Sequence, residues 1–307
     1  MIHTGTAVPT AVFAPRTGVG TARALVLAPV IPHWDEGAFF APVIRTLTGA
    51  GLGVTVVDTL SLWDEEVDSM ASFVARWRAL LPRFGPVDLL CGNALGGAVA
   101  QALLPYVDPT TAALLVSGPA RTDPLLEDRL TDIANLAAAG RTEAALALLH
   151  RRVQPGQGDP PDDTEPTNTA CDDPRLAAAD SRSRPATTHG TARRTRVDAV
   201  APSVDADGPT PPTNLGGGTG DPVADRRLAA GMRLLCGTDV SDAVLAHPGP
   251  LLQIVGGRSQ LVTLRHTAAA PHHRAHVVPE AGMRPHAEQP TEVAALVEAF
   301  LWEKGFQ

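Results

Sequence analysis

The segment from residue 87 to residue 104 constrains the fold more than any other part of the chain. Its apolar first part ends at Cys91, the glycine-rich run Gly92-Asn93-Ala94-Leu95-Gly96-Gly97 follows, and a stretch with a helical pattern comes next. A buried strand that enters a helix through Gly-x-x-x-Gly has the shape of a nucleophile elbow. The central residue of such a turn takes a strained backbone conformation, for which the flanking glycines make room. That residue is Ala94 here, and a methyl group cannot attack a substrate.

Length, charge and cysteine content limit the class of protein. The 307 residues suffice for one large α/β domain with an inserted cap. A net charge of −8 argues against nucleic acid or an anionic membrane as a partner. No signal peptide and no apolar run of about 20 residues is visible, and the three cysteines show neither a metal-site nor a disulfide pattern. We therefore expect a cytoplasmic protein without metal or cofactor, and the oligomeric state stays open.

Apolar runs and helical patterns alternate along most of the chain. Short continuous apolar runs, typical of strands buried on both faces, predict strands at 23–28, 53–58, 112–117, 251–255 and 275–278. A weaker alternation suggests an opening strand within 7–13. Helical patterns cover 39–47, 68–81, two stretches within 123–153, a segment beginning at Asp221, and 291–302. This order predicts an α/β fold with a doubly wound, mostly parallel sheet, whose ligands would lie at the carboxyl ends of its strands.

The strand pattern is interrupted between residues 121 and 250. We predict a core of residues 1–120 and 250–307, and a helical cap of residues 121–155 and 221–249. Residues 156–220 contain no Phe, Trp, Tyr, Ile or Met, so this segment cannot offset the entropy of ordering its backbone and is predicted to be a disordered insertion. We favour a flexible linker within the cap. The alternative is a helical segment replaced through two compensating frameshifts in a GC-rich gene.

Three motifs together resemble those of the α/β-hydrolase superfamily, in particular its capped esterases, epoxide hydrolases and haloperoxidases. The elbow at 92–97 is similar to the family's Gly-x-Ser-x-Gly-Gly. Residues 252–262 resemble the strand and loop that carry the catalytic acid, and residues 278–290 resemble the Gly-His-x-x-His-x-Glu-x-Pro segment that carries the base. The resemblance covers nearly the whole chain outside 156–220, and it implies a capped fold with a pocket between core and cap.

The catalytic residues of that family do not carry over. The resemblance places Ala94 at the nucleophile position, Ser259 at the acid position and Met283 at the base position. Serine cannot orient an imidazole as a carboxylate does, and methionine cannot accept a proton near neutral pH. We therefore expect no hydrolysis through a covalent intermediate. The amides of Val30 and Leu95 could still form an oxyanion site.

Several polar residues are candidates for remaining chemistry. His286 falls on the second histidine of the family motif, where we favour a structural hydrogen bond over a role as base. Asp123 could serve as an alternative acid, although a helix cap is the preferred interpretation. His33, Trp34 and Asn93 could line the pocket beside the elbow. Histidines 272, 273 and 276 are interpreted as a solvated turn, since the edge of a strand is the wrong geometry for a metal site.

The sequence leaves three functions open. The first is a protein that binds a small apolar metabolite between core and cap, without ester hydrolysis, and that could catalyse a cyclisation or an elimination by orienting its ligand. The second is a non-catalytic scaffold or binding protein. The third is an ester hydrolase in which Ala94 replaces a serine, with His286 as base and Asp123 as acid. The alanine-, arginine- and proline-rich composition is suggestive of secondary metabolism.

Overall fold

A computed structural model describes residues 8–16, 22–156 and 221–306. Seven strands form one sheet in the order β1-β3-β2-β4-β5-β6-β7. Strand β1 is antiparallel to β3, and the other neighbours are parallel. The strands are β1 (Thr10–Phe13), β2 (Arg23–Leu27), β3 (Gly53–Val57), β4 (Leu89–Asn93), β5 (Ala112–Val116), β6 (Leu251–Gly256) and β7 (Arg274–Val278). The predicted doubly wound, mostly parallel sheet is thereby confirmed.

Nine α-helices connect or follow these strands within the described residues. They are α1 (Ala41–Gly49), α2 (Met70–Leu80), α3 (Leu95–Leu103), α4 (Pro124–Ala138), α5 (Thr142–Val153), α6 (Pro222–Leu235), α7 (Ser241–Leu245), α8 (Pro285–Glu288) and α9 (Pro290–Glu303). None of them is long and apolar enough to cross a membrane. Helix α7 was not predicted, because five residues are too few to show a helical periodicity.

The sheet is covered on both faces, which explains the continuous apolar runs of its strands. In β2, Leu25 and Leu27 contribute to the apolar cluster that contains the side chains of α2 and α3. Their neighbours Ala24 and Val26 contribute to the opposite cluster, which contains the side chains of α1 and α9. Helices α4 and α6 add to the first cluster only, so the inserted helices enlarge the core on one side.

The four helices between β5 and β6 occupy the stretch predicted as a cap, and we call α4 to α7 the insertion helices. The predicted junction between two helices at residues 139–140 is confirmed by the end of α4 and the start of α5. Asp221 caps α6 as expected, with its carboxylate accepting from the Val223 amide at 2.8 Å. The division into separate core and cap domains stays a prediction. The segment predicted to be disordered, apart from Gly156, lies outside the described residues.

Helix α6 is held against the carboxyl ends of β2 and β3. The Arg227 guanidinium donates to the Asp58 carboxylate at 2.7 Å and to the Ile31 carbonyl at 3.4 Å. One turn later, Gly231 lies so close to Val30 that an added Cβ would stand 2.5 Å from a methyl group of that valine. The side chain of Asp58 is only 4% exposed, so Arg227 compensates for the burial of its carboxylate.

Three histidines lie close together at the amino ends of strands β5, β6 and β7. The Nε2 atoms of His272 and His273 both lie 3.0 Å from the His247 carbonyl, and Nε2 of His247 lies 3.0 Å from the Thr111 carbonyl. The expected solvated turn is therefore wrong for His273, which is buried. The backbone carbonyls that come together where strands begin supply acceptors that the sequence pattern does not reveal. His276 lies in β7 and is partly exposed.

The Asp58–Arg227 pair predicts the effect of removing one partner. Arg227→Met should lower the free energy of unfolding by about 3 kcal/mol, because it leaves a buried carboxylate without its counter-charge. Urea denaturation of the variant and the parent measures this loss. The double variant Asp58→Asn/Arg227→Met should recover part of it, whereas an equal or larger loss in the double variant would contradict the assigned role of the buried charge.

The histidine cluster predicts a loss of stability in acid. Burial lowers the pKa of His273 to about 4, helped by the neighbouring His272 and His247 and opposed by hydrogen bonds to backbone carbonyls. Its Nδ1 accepts from the Ala270 amide at 3.1 Å, so protonation there removes a hydrogen bond. Because this pKa is depressed below the ordinary value of 6.5, the stabilisation is complete above about pH 6.5 and is lost as the pH falls through 4.

Denaturation midpoints at pH 7.5 and 4.5 test this expectation. His273→Asn should be less stable than the parent at pH 7.5 and should lose less stability on acidification, by about 2 kcal/mol. His33→Asn is the control, since the side chain of His33 is 68% exposed. An acid sensitivity of His273→Asn equal to that of the parent would rule out this histidine as its source.

Candidate functional site

The turn between β4 and α3 has the backbone of a nucleophile elbow. Ala94 adopts φ 48° and ψ −117°, a positive-φ conformation that costs a residue with a Cβ about 1–3 kcal/mol. Its amide donates to the Val116 carbonyl at 3.3 Å, and its carbonyl accepts from the Ala98 amide at 3.0 Å. The Ala94 side chain is partly exposed, while α3 behind it is buried. A methyl group therefore occupies the point where this turn presents a side chain.

Glycines on either side of Ala94 allow this turn to pack against β2. An added Cβ on Gly96 would stand 2.1 Å from the Leu27 carbonyl oxygen, and one on Gly92 would stand 2.3 Å from the Gly96 oxygen. Both distances are shorter than any non-bonded contact, and both partners are backbone atoms that cannot rotate away. Glycine at these two positions is therefore a packing requirement of the turn.

The loops after β6 and β7 bring the acid and base positions together. The Ser259 hydroxyl lies 3.8 Å from the Met283 sulfur, and both side chains are buried. Ser259 also accepts from the Leu261 amide at 3.3 Å, while the Met283 amide donates to the Val153 carbonyl at 3.1 Å. Near neutral pH, a serine hydroxyl does not carry the negative charge of a carboxylate, and a thioether does not act as a base. The assignment of Ser259 and Met283 to the acid and base positions stays a prediction from the resemblance.

The site has two amides without acceptors. Within the described residues, neither the Val30 amide nor the Leu95 amide donates a hydrogen bond. Leu95 opens α3, where the first amides of a helix have no partner inside it. Val30 follows β2, which pairs with β4. The chain continues from β2 to β3 on one side and then to β4 on the other side, so the strand order changes direction at this position. In such sheets the crevice at this position is the usual ligand site.

The three other predicted pocket residues have different surroundings. Asn93 is buried, and its amide donates to the Val116 carbonyl at 2.8 Å. His33 lies 3.6 Å from the Asp221 carboxylate and is largely exposed. Trp34 packs against the apolar cluster of α1 and α9. Asn93 thus holds the elbow in place, while His33 and Trp34 contact other parts of the protein.

His286 is enclosed at the start of α8. Its ring packs against Phe39 and Phe40, with centroids 5.2 and 4.9 Å away, and its Nε2 lies 3.2 Å from the Phe39 carbonyl. Burial, together with the charge of Arg284, lowers the pKa of His286 to about 4 against the opposing effect of that hydrogen bond. The ring of His286 is fully buried, and the structural role favoured for it from the sequence stays a prediction.

Asp123 has two functions in the structure, one of which the sequence did not reveal. Its carboxylate caps α4 by accepting from the Leu126 amide at 2.8 Å. It also lies 3.2 Å from Nε2 of the buried His266 and 2.9 Å from Arg265. Burial acts to raise the pKa of Asp123, but the Leu126 amide, His266 and Arg265 lower it overall. The sequence feature that could have indicated this contact is the turn at residues 263–266. In this turn, Nδ1 of His266 accepts from the Thr263 amide.

A separate cavity of about 610 Å³ opens between the loop after β3 and helices α4 and α6, and we call it the α6 cavity. None of the residues predicted to line a pocket borders it. Its walls include Trp63 and Val67 from the loop, and Ala229, Ala230 and Leu234 from α6. Within the described residues, no group of three or more His, Cys, Asp or Glu side chains could hold a metal ion.

No protein-family model and no curated protein matches this chain. Solved structures do match over nearly the full length. One is MGS-M2, an α/β-hydrolase enzyme from a Medee basin deep-sea metagenome library, with 13% identity, a TM-score of 0.63, and coverage of 96% of this chain and 94% of that chain.

Two further structures extend this similarity. The esterase EaEST from Exiguobacterium antarcticum is 10% identical, with a TM-score of 0.61, and covers 96% of this chain and 95% of its own. The putative non-heme bromoperoxidase BpoC from Mycobacterium tuberculosis is 15% identical, with a TM-score of 0.59, and covers 99% and 98%. These identities are too low to transfer an activity, but the backbone agreement over nearly entire chains is clear. The protein has the α/β-hydrolase fold.

Proposed function

We propose that this protein binds a small apolar molecule at the elbow, between the sheet and the insertion helices, and does not hydrolyse esters through a covalent intermediate. The observation that carries the proposal is the elbow itself, which keeps its strained backbone at Ala94 while offering only a methyl group. Loss of the nucleophile together with the Ser259–Met283 contact supports loss of the triad as a unit.

The unpaired amides suggest which end of a ligand would lie at the elbow. A carbonyl or enolate oxygen could accept from the Val30 and Leu95 amides, next to the methyl group of Ala94. Such a site can orient a ligand for cyclisation or elimination without a covalent bond to the protein. We propose a cytoplasmic location, in keeping with the free thiols of Cys91 and Cys236.

The second candidate is an ester hydrolase whose serine is replaced by Ala94. It requires a base, and His286 is buried, has a lowered pKa and lies 3.2 Å from the Phe39 carbonyl. It also requires an acid to orient that base, while the ion-pair partners of Asp123 are Arg265 and His266. The surroundings of His286 and of Asp123 therefore favour the binding role over an ester hydrolase that lacks only its serine.

Restoring the serine separates these two functions. Parent, Ala94→Ser and the control Ala102→Ser, which adds a hydroxyl on α3 away from the elbow, are assayed on nitrophenyl esters of short acids. Ala94→Ser should exceed the control by less than about tenfold, because a hydroxyl without a base stays protonated. A gain of about a hundredfold or more would show that a working base remains and would overturn the proposal.

Binding without turnover is the positive test. The parent should bind 4-nitrophenyl butyrate, measured by saturation-transfer NMR, and release it intact. Val30→Pro removes one amide donor and should weaken binding about fivefold, the worth of one hydrogen bond of about 1 kcal/mol. Val30→Thr keeps both the amide and the shape, and it should bind like the parent. Equal affinity of the two variants, with unchanged melting temperatures, would exclude the Val30 amide as a donor.

A further inference from the structure

The α6 cavity combines an apolar surface with two cations. Ala229, Ala230 and Leu234 of α6 form one side, and Trp63 and Val67 lie on another. Arg226 and Arg233 of the same helix also line the cavity. They are seven residues apart, so their Cα atoms lie on the same face, about 10 Å from each other along the helix axis. Both arginines are exposed, so the cavity has two cationic side chains beside its apolar surface.

The carboxylates of the cavity are already engaged. Asp225 accepts a hydrogen bond from the Thr142 hydroxyl. Asp68 accepts from the hydroxyls of Ser69 and Ser72, each at 3.0 Å. These bonds hold both carboxylates to nearby chain segments, and they reduce the attraction of either group for an incoming cation.

The two arginines differ from these carboxylates. In the part of the chain that the structure describes, neither the Arg226 nor the Arg233 guanidinium forms an ion pair or a hydrogen bond. Other arginines nearby do have partners, such as Arg227 with Asp58 and Arg152 with Asp132. Two planar cations thus present their donors at the rim of an apolar cavity, which is the arrangement that binds carboxylates.

We propose that the α6 cavity is a binding site for a small organic anion with an aromatic or aliphatic body and one carboxylate. The apolar body lies against Ala229, Ala230 and Trp63, where its burial contributes most of the affinity. The carboxylate accepts hydrogen bonds from Arg226 or Arg233. This site is separate from the elbow, since neither Ala94 nor Val30 lines it.

The experiment is calorimetric titration of the full chain with 4-phenylbutyrate, and with 4-phenylbutanamide as the uncharged analogue. The parent should bind the acid at least fivefold more tightly than the amide. Arg226→Gln/Arg233→Gln should weaken binding of the acid about tenfold, because it removes the charge-assisted hydrogen bonds. Arg45→Gln, which changes an exposed arginine of α1, is the matched control and should not alter affinity.

A second variant fills the cavity without touching its charges. Ala138 borders the cavity and is exposed near the end of α4, so Ala138→Leu can be accommodated by the fold and should reduce the affinity for both compounds. Equal binding of acid and amide would overturn the proposal, and so would full affinity in the arginine double variant or in Ala138→Leu. The absence of binding by the parent at 10 mM ligand would also overturn it, since this limits the magnitude of the binding free energy to about 3 kcal/mol. The arginine double variant should still bind 4-nitrophenyl butyrate like the parent, because neither arginine belongs to the proposed elbow site, and this separates failure here from failure at the elbow.

Discussion

The packing of the central strands β2 and β4 against α3 depends on close contacts between backbone atoms at the start of that helix. Gly96 meets the Leu27 carbonyl of β2 at a distance that excludes a side chain, and Gly92 meets Gly96 in the same way. This contact joins the two central strands and the helix that follows them. It requires the positive φ of Ala94 whether or not the residue at that position carries a nucleophile. Packing therefore maintains the elbow regardless of which side chain stands at its centre.

The insertion helices determine what remains accessible above this turn. Helix α6 covers Val30 through Gly231 and is anchored by Arg227, while the end of α5 contacts Met283 through the Val153 carbonyl. The Ala94 methyl group remains partly exposed. The proposed binding of a carbonyl group rests on this exposed methyl group and on the unpaired amides of Val30 and Leu95.

The fold was largely predictable from the sequence, and the electrostatic contacts were not. Strands such as β4 and β5 are buried on both faces, so their apolar runs are visible without further information. The elbow glycines predicted the turn because no other residue fits there. In contrast, the pairing of Asp58 with Arg227 and of Asp123 with His266 depends on how loops and helices dock, which local patterns do not encode. The α6 cavity escaped prediction for the same reason, since its walls come from the loop after β3 and from two insertion helices.

The separation of Asp58 and Arg227 by 169 residues has a consequence for how the chain folds. Contacts between residues so distant in sequence form late, because a long loop must close before they can be made. Before α6 docks, the Asp58 carboxylate at the end of β3 keeps its hydration shell. We therefore expect the desolvation of this carboxylate to accompany the docking of α6, so that a loss of Arg227 accelerates unfolding more than it slows folding.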